Sequence, residues 1–229
     1  MKLMVINPNT TSSMTQQMAE SCKRLIGPDV QLSVVNPTEG VASIQGRADG
    51  IAAAYYTLRL IEKADKEGVD GFVIACFDDT GLQAAREVAS GPVLGIGESA
   101  MYAASVLGCR FSILTSTQRS VHILEENAAN YGFSQRCEAV HALNIPVLDL
   151  HSDSSYKLAL KRSREIVKQD KSECLVMGCG GMTHWQESLS KDLGMPVIDG
   201  VTVGLGLVES LVRMGLKTSK ACTYGYPIK

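Results

Sequence analysis

The chain alternates short apolar runs with longer amphipathic stretches, the pattern of parallel strands joined by helices. The first run is LMVI at residues 3–6, followed by NPNTTSS, which is rich in turn and helix-capping residues. A helix is predicted over 13–25, stopped by Gly27 and Pro28, then a strand over 30–35 ended by Asn36 and Pro37. A long helix over 48–67 leads through Gly68 to a strand at 71–75 that runs into Cys76. A helix over 81–90, a strand over 93–96 and a helix over 99–107 complete the series.

At Arg110 the series restarts. FSILTSTQ (111–118) repeats the layout of LMVINPNT, a strand and then a polar turn opening a helix at about 120–131. Strand 137–142, helix 154–169 and strand 174–178, which reaches Cys179, follow. Helix 183–193, the strand MPVI (195–198) and helix 201–214 close the chain. Pro92 lies 16 residues after Cys76, and Pro196 lies 17 after Cys179. The expected fold is α/β: two pseudo-symmetric parallel-sheet lobes with the active site in the cleft between them. The halves divide near 108/109. The expected lobes are 1–97 plus about 205–229, and 98–204.

Composition narrows the function classes. At 229 residues the chain buries a core without cross-links. A net charge of −2 gives no electrostatic footprint for nucleic acid. No apolar run approaches the roughly 20 residues of a membrane span, and MKLMVINPNT turns polar too early for a signal peptide. A cytoplasmic protein with a small-molecule substrate is expected. Seven cysteines, an odd number without C-x-x-C, read as free thiols. Cys174, Cys179 and His184 are near one another in sequence, but Cys174 and Cys179 fall on opposite faces of one strand, which argues against a metal.

Two strand-end thiols in equivalent positions are the main chemical signal. In open α/β sheets the carboxyl ends of strands form the ligand crevice. There, beside the N-terminus of the next helix, a thiol's pKa is expected to fall. If Cys76 is a thiolate and Cys179 a thiol, one removes a proton from a bound carbon acid. The other returns a proton to the opposite face, and the roles exchange. No cofactor is needed when a neighbouring carbonyl delocalises the charge. A single cysteine ending a strand is ordinarily packing, and Cys22, Cys109, Cys137, Cys174 and Cys222 read as packing or surface residues of that ordinary kind.

INPNT (6–10), ASIQG (42–46), ACFDDTGL (75–82) and GCGGM (178–182), in this order along the whole chain, resemble the hydantoin racemase family. That family includes allantoin racemases and lies within the aspartate/glutamate racemase superfamily. The resemblance implies a cofactor-independent racemase of 5-substituted hydantoins, with Cys76 and Cys179 catalytic and a homo-oligomeric assembly. It also implies that Ile44 lines the pocket. Phe77 offers an apolar wall, and Gly178, Gly180 and Gly181 allow close backbone approach to a planar ring. Family members commonly carry Gly-Asp after the Phe; Asp78-Asp79 departs at the first position, which bears on substrate preference.

Further candidates come from the turns. Asn9 reaches the cleft or caps the first helix. Thr115 and Ser116 occupy the equivalent turn of the second half. Asp79 contacts substrate, orients the turn behind Cys76, or caps the next helix. Glu98 and Asp199 end matching strands, and His184 could tune Cys179. Two rivals from other classes remain at this level. Gly178-x-Gly180 is a partial dinucleotide fingerprint, with Thr183 where the third glycine belongs. A non-catalytic two-lobed binding protein would have the same composition. Within the superfamily, an amino-acid racemase, a decarboxylase or another isomerase would also use strand-end cysteines.

Overall fold

Apolar runs without polar alternation must be covered on both faces, and parallel strands between helices meet that need. The computed structural model describes residues 1–228. Its first half is β1 (Lys2–Ile6), α1 (Ser12–Lys23), β2 (Gln31–Val35), α2 (Arg47–Lys66), β3 (Gly71–Ile74), α3 (Leu82–Val88), β4 (Val93–Gly95) and α4 (Ile96–Leu107). Its second half is β5 (Phe111–Thr115), α5 (Gln118–Asn130), β6 (Cys137–Ala142), α6 (Asp153–Asp170), β7 (Cys174–Met177), α7 (Gln186–Leu193), β8 (Val197–Asp199) and α8 (Gly200–Arg213). The strands form two all-parallel four-stranded sheets, ordered β2-β1-β3-β4 and β6-β5-β7-β8. Every residue of β3, β5 and β7 is buried.

The matching orders locate the crevices. In each sheet the strand order reverses between the two central strands, β1/β3 and β5/β7, and the connections there leave to opposite faces. The segments leaving those strand ends carry Asn7–Thr10 and Cys76 in one lobe, Thr115–Ser116 and Cys179 in the other.

The last helices of the two halves are exchanged. Helix α4 follows β4 of the first sheet but packs on β7 and β8 of the second, while α8 packs on β3 and β4 of the first. The two helices also pack on each other, and one apolar core runs through both lobes from Val73 and Ala104 to Val176 and Leu205. Gly200 makes the crossing possible: a Cβ there would stand 2.2 Å from the Ile96 carbonyl oxygen. Beyond α8 the chain returns to the first lobe, where Thr218 donates to the Gly91 carbonyl and Lys220 to those of Arg86 and Glu87. Among the described residues no helix is long and apolar enough to cross a membrane.

Two elements depart from the sequence expectation. Helix α4 starts at Ile96 rather than 99 because its first N–H groups find an acceptor far away in sequence. The Asp79 carboxylate accepts from Gly97 at 2.8 Å and Glu98 at 2.7 Å. The expected helix 183–193 is instead a 3-10 turn, Gly180–Trp185, followed by α7. Thr183 tightens that turn by donating to the Gly180 carbonyl and bonding the Asp199 carboxylate, which also caps α8.

Candidate active site

Between the two crevices lies one solvent-open cleft of about 400 Å³, mouth included, lined by both Cys76 and Cys179. Each thiol is half-buried and unpaired. The main chains beside them touch: a Cβ on Gly180 would come within 2.9 Å of the Ala75 carbonyl oxygen. Glycine at 180 therefore makes room for the facing cysteine loop, and the dinucleotide reading loses one of the two glycines it rests on.

The two sulfurs have similar surroundings. The Thr80 hydroxyl donates to the Cys76 sulfur at 3.4 Å, and the Asp78 N–H also acts to lower that thiol's pKa. At Cys179 the Gly181 N–H and the Ser116 hydroxyl are the groups that lower the thiol's pKa. Each thus has one backbone and one hydroxyl donor, a setting that favours a thiolate. Burial opposes them and wins. It pushes the Cys179 thiol up to about 11, and raises Cys76 further, where the Asp78 carboxylate adds to burial. The expected lowering by a helix N-terminus is overturned. Cys179 is followed by a 3-10 turn, and Cys76 shares its loop with an acid.

The other expected residues divide. Asn9, Ile44, Phe77, Thr115, Ser116, Gly178 and Gly180 all line the cleft with the cysteines. Asn9 does two things: its Oδ1 accepts the Thr11 N–H just ahead of α1, while its Nδ2 has only the Met14 sulfur, at 3.6 Å, as partner. That amide is a donor available to a ligand carbonyl. Thr115 is committed to structure, donating to the Gly178 carbonyl at 2.8 Å and so joining the ends of β5 and β7. Gly181 is outside the lining but supplies its N–H to Cys179.

Asp79, expected to contact substrate, turns away from the cleft. Its carboxylate is filled by Gly97 N–H, Glu98 N–H and the Tyr131 hydroxyl. It sits at φ 52°, a left-handed conformation in which aspartate is one of the few tolerated non-glycine residues. Glu98 pairs with Arg86, Asp199 caps α8, and His184 borders a separate depression beside Arg24 and Glu187. Among the described residues no group of three His, Cys, Asp or Glu side chains has metal-site geometry.

Seven lining residues are not marked by the sequence as ligand contacts: Asn7, Pro8, Met14, Ala75, Asp78, Ser120 and Val147. Asn7 belongs to INPNT and Asp78 adjoins Cys76, so adjacency was the missed signal. Ser120 and Val147 come from α5 and the segment after β6, and nothing local in the sequence marks them.

Known proteins resemble this chain in sequence and in fold. The sequence profile of the Asp/Glu/hydantoin racemase family matches residues 3–208. A hydantoin racemase of Rhizobium meliloti is 43% identical over 229 residues, covering 99% of this chain and 95% of that one. A hydantoin racemase of Pseudomonas sp. (strain NS671) is 42% identical, covering 100% and 93%. The solved allantoin racemase of Klebsiella pneumoniae superposes with a TM-score of 0.97 at 41% identity, covering 100% of this chain and 94% of its own. With two equivalent cysteine-bearing crevices closed over one cleft, and a family profile spanning nearly the whole chain, the chain belongs to the Asp/Glu/hydantoin racemase family.

Proposed function

We propose that this racemase interconverts the enantiomers of 5-substituted hydantoins by proton exchange between Cys76 and Cys179. The observation that carries the proposal is the shared cleft, in which each sulfur has one N–H and one hydroxyl donor.

The ring enters with C5 between the two sulfurs. One cysteine, as thiolate, takes the C5 proton and becomes a thiol. The electron pair left on C5 spreads into the adjacent C4 carbonyl as an enolate, which the Asn9 amide is placed to receive. The other thiol returns a proton to the opposite face and becomes the thiolate. Charge is conserved, and the residues are poised for the reverse reaction. The first ionisation is uphill. A thiol at about 11 costs about 5 kcal/mol to ionise at pH 7, and the donors around each sulfur reduce that cost as charge develops.

A hydantoin suits the walls of the cleft. Phe77, Ile44 and Met14 give apolar faces to a planar ring, and no Lys, Arg or His lines the cleft among the described residues. A free amino acid would bring a carboxylate to a place with no cation and with Asp78 already present. The test is incubation of enantiopure 5-methylhydantoin, 5-benzylhydantoin and (S)-allantoin in D2O, following optical rotation and the C5–H NMR signal. Loss of rotation with deuterium entering C5 is expected. Retained rotation with all three would rule the proposal out.

A further inference from the structure

We propose that Asp78 selects the substrate's C5 arm, accepting hydrogen bonds from arms that carry N–H donors and disfavouring apolar and anionic ones. The inference rests on the racemase reading and concerns which hydantoins the cleft prefers.

Asp78 lines the cleft that holds both cysteines. It also lines the shallower depression outside it, with Arg47, Ile51 and Ile123. The residue thus stands where the reaction site opens to solvent, the place for a substituent projecting from C5. Its main chain is held on both sides. The N–H acts on the Cys76 thiol, and the carbonyl accepts from Asn127 Nδ2 at 3.1 Å. The side chain is therefore directed by a fixed backbone.

The carboxylate is half-buried and accepts no hydrogen bond from any described residue. Its neighbour Asp79 accepts three. The cation that acts on Asp78, Arg47, pairs instead with Glu126 across the mouth. Burial consequently pushes the Asp78 carboxyl up to about 6, opposed by Arg47. A carboxylate has room for about four acceptor contacts, and no described residue fills any of them.

A ureido arm, or an aminoalkyl arm, brings N–H groups to that oxygen pair. A benzyl or isopropyl arm covers the carboxylate and leaves it without water or partner, an arrangement that costs roughly tenfold to hundredfold in binding. A carboxymethyl arm adds like-charge repulsion to that loss. The cleft should therefore rank donor-bearing arms above apolar ones, and apolar ones above anionic ones.

The test compares kcat and KM for 5-ureido-, 5-(4-aminobutyl)-, 5-benzyl- and 5-carboxymethylhydantoin, using deuterium entry at C5, in the native protein, Asp78→Asn and Asp78→Gly. The native protein should favour the ureido or aminobutyl compound over the benzyl compound by at least tenfold in kcat/KM, chiefly through KM. Asp78→Gly should flatten or invert that ratio. Asp78→Asn, which keeps the shape but loses charge, should spare the ureido compound more than the aminobutyl one. Equal ratios in all three proteins, or best turnover of the carboxymethyl compound, would overturn the proposal. If none of these hydantoins exchanges, the racemase reading fails, and calorimetric Kd values for the same compounds decide the role of Asp78. An unchanged ureido-to-benzyl affinity ratio in Asp78→Gly would then sink it as well.

Discussion

The Tyr131 hydroxyl donates to Asp79 Oδ2 at 2.7 Å, joining the end of α5 in the second lobe to the Cys76 loop of the first. Asn127, one helical turn earlier, donates to the Asp78 carbonyl from the same face. One lobe thereby holds the loop that carries the other lobe's thiol. Tyr131→Phe removes the bond and leaves a buried carboxylate one donor short, at a cost of about 1–2 kcal/mol in stability. We expect kcat to fall about tenfold while KM changes less than twofold, because the sulfur is misplaced and the pocket walls are not. Steady-state kinetics with thermal melts would check this, and a KM rise without a kcat change would contradict it.

Cys76→Ala and Cys179→Ala should each abolish interconversion. Each should still allow deuterium entry into only one enantiomer, since the remaining thiol reaches one face of C5. NMR on separate enantiomers reads this directly. Near-normal racemisation by either variant would exclude the two-thiol scheme.

The pH dependence follows from burial. With Cys179 at about 11 and Cys76 higher still, both thiols are protonated at neutral pH. The fraction carrying one thiolate rises about tenfold per pH unit below the lower value. The kcat/KM should climb steadily from pH 6 to pH 9. A plateau beginning below pH 8 would show that one thiol ionises far more easily than its burial allows.

Asp78 should lower stability where it is charged. Its folded pKa, about 6, is above the ordinary 3.8. Its contribution is therefore most favourable below about pH 4 and is lost as pH rises through 6. Asp78→Asn should be more stable than the native protein at pH 8, by on the order of 2 kcal/mol, and not at pH 4. Denaturant melts at the two pH values test this; an equal difference at both would show that the carboxylate is not desolvated.

Gly180→Ala is the steric probe of the site. The added methyl would stand 2.9 Å from the Ala75 carbonyl oxygen, so the two cysteine loops must separate. A loss of at least a hundredfold in kcat is expected with the fold retained by circular dichroism. Full activity would mean that loop spacing does not govern proton transfer.

Much of this arrangement was written in short-range pattern. Apolar runs stopped by Asn-Pro, Gly-Pro or a cysteine marked the strands, and the repeat of Cys76 and Pro92 as Cys179 and Pro196 marked the duplication. What escaped depends on partners distant in sequence. The start of α4 is set by Asp79 and the 3-10 turn after Cys179 by Asp199, neither of which local propensity reports. Ser120 and Val147 reach the cleft from α5 and the segment after β6, through packing within the second lobe that no local pattern reports. The direction of the thiol pKa shifts had the same origin, because helix ends are visible in a sequence whereas the depth of a cleft is not.

The traded helices α4 and α8 limit how the cleft can open. Each is anchored on the sheet of the opposite half, so the lobes cannot swing apart like independent bodies without stripping both helices from their beds. Opening of the cleft to a substrate is therefore restricted to movements that keep α4 and α8 seated on those sheets. A wide hinge of the kind seen in singly tethered domains is not open to this chain.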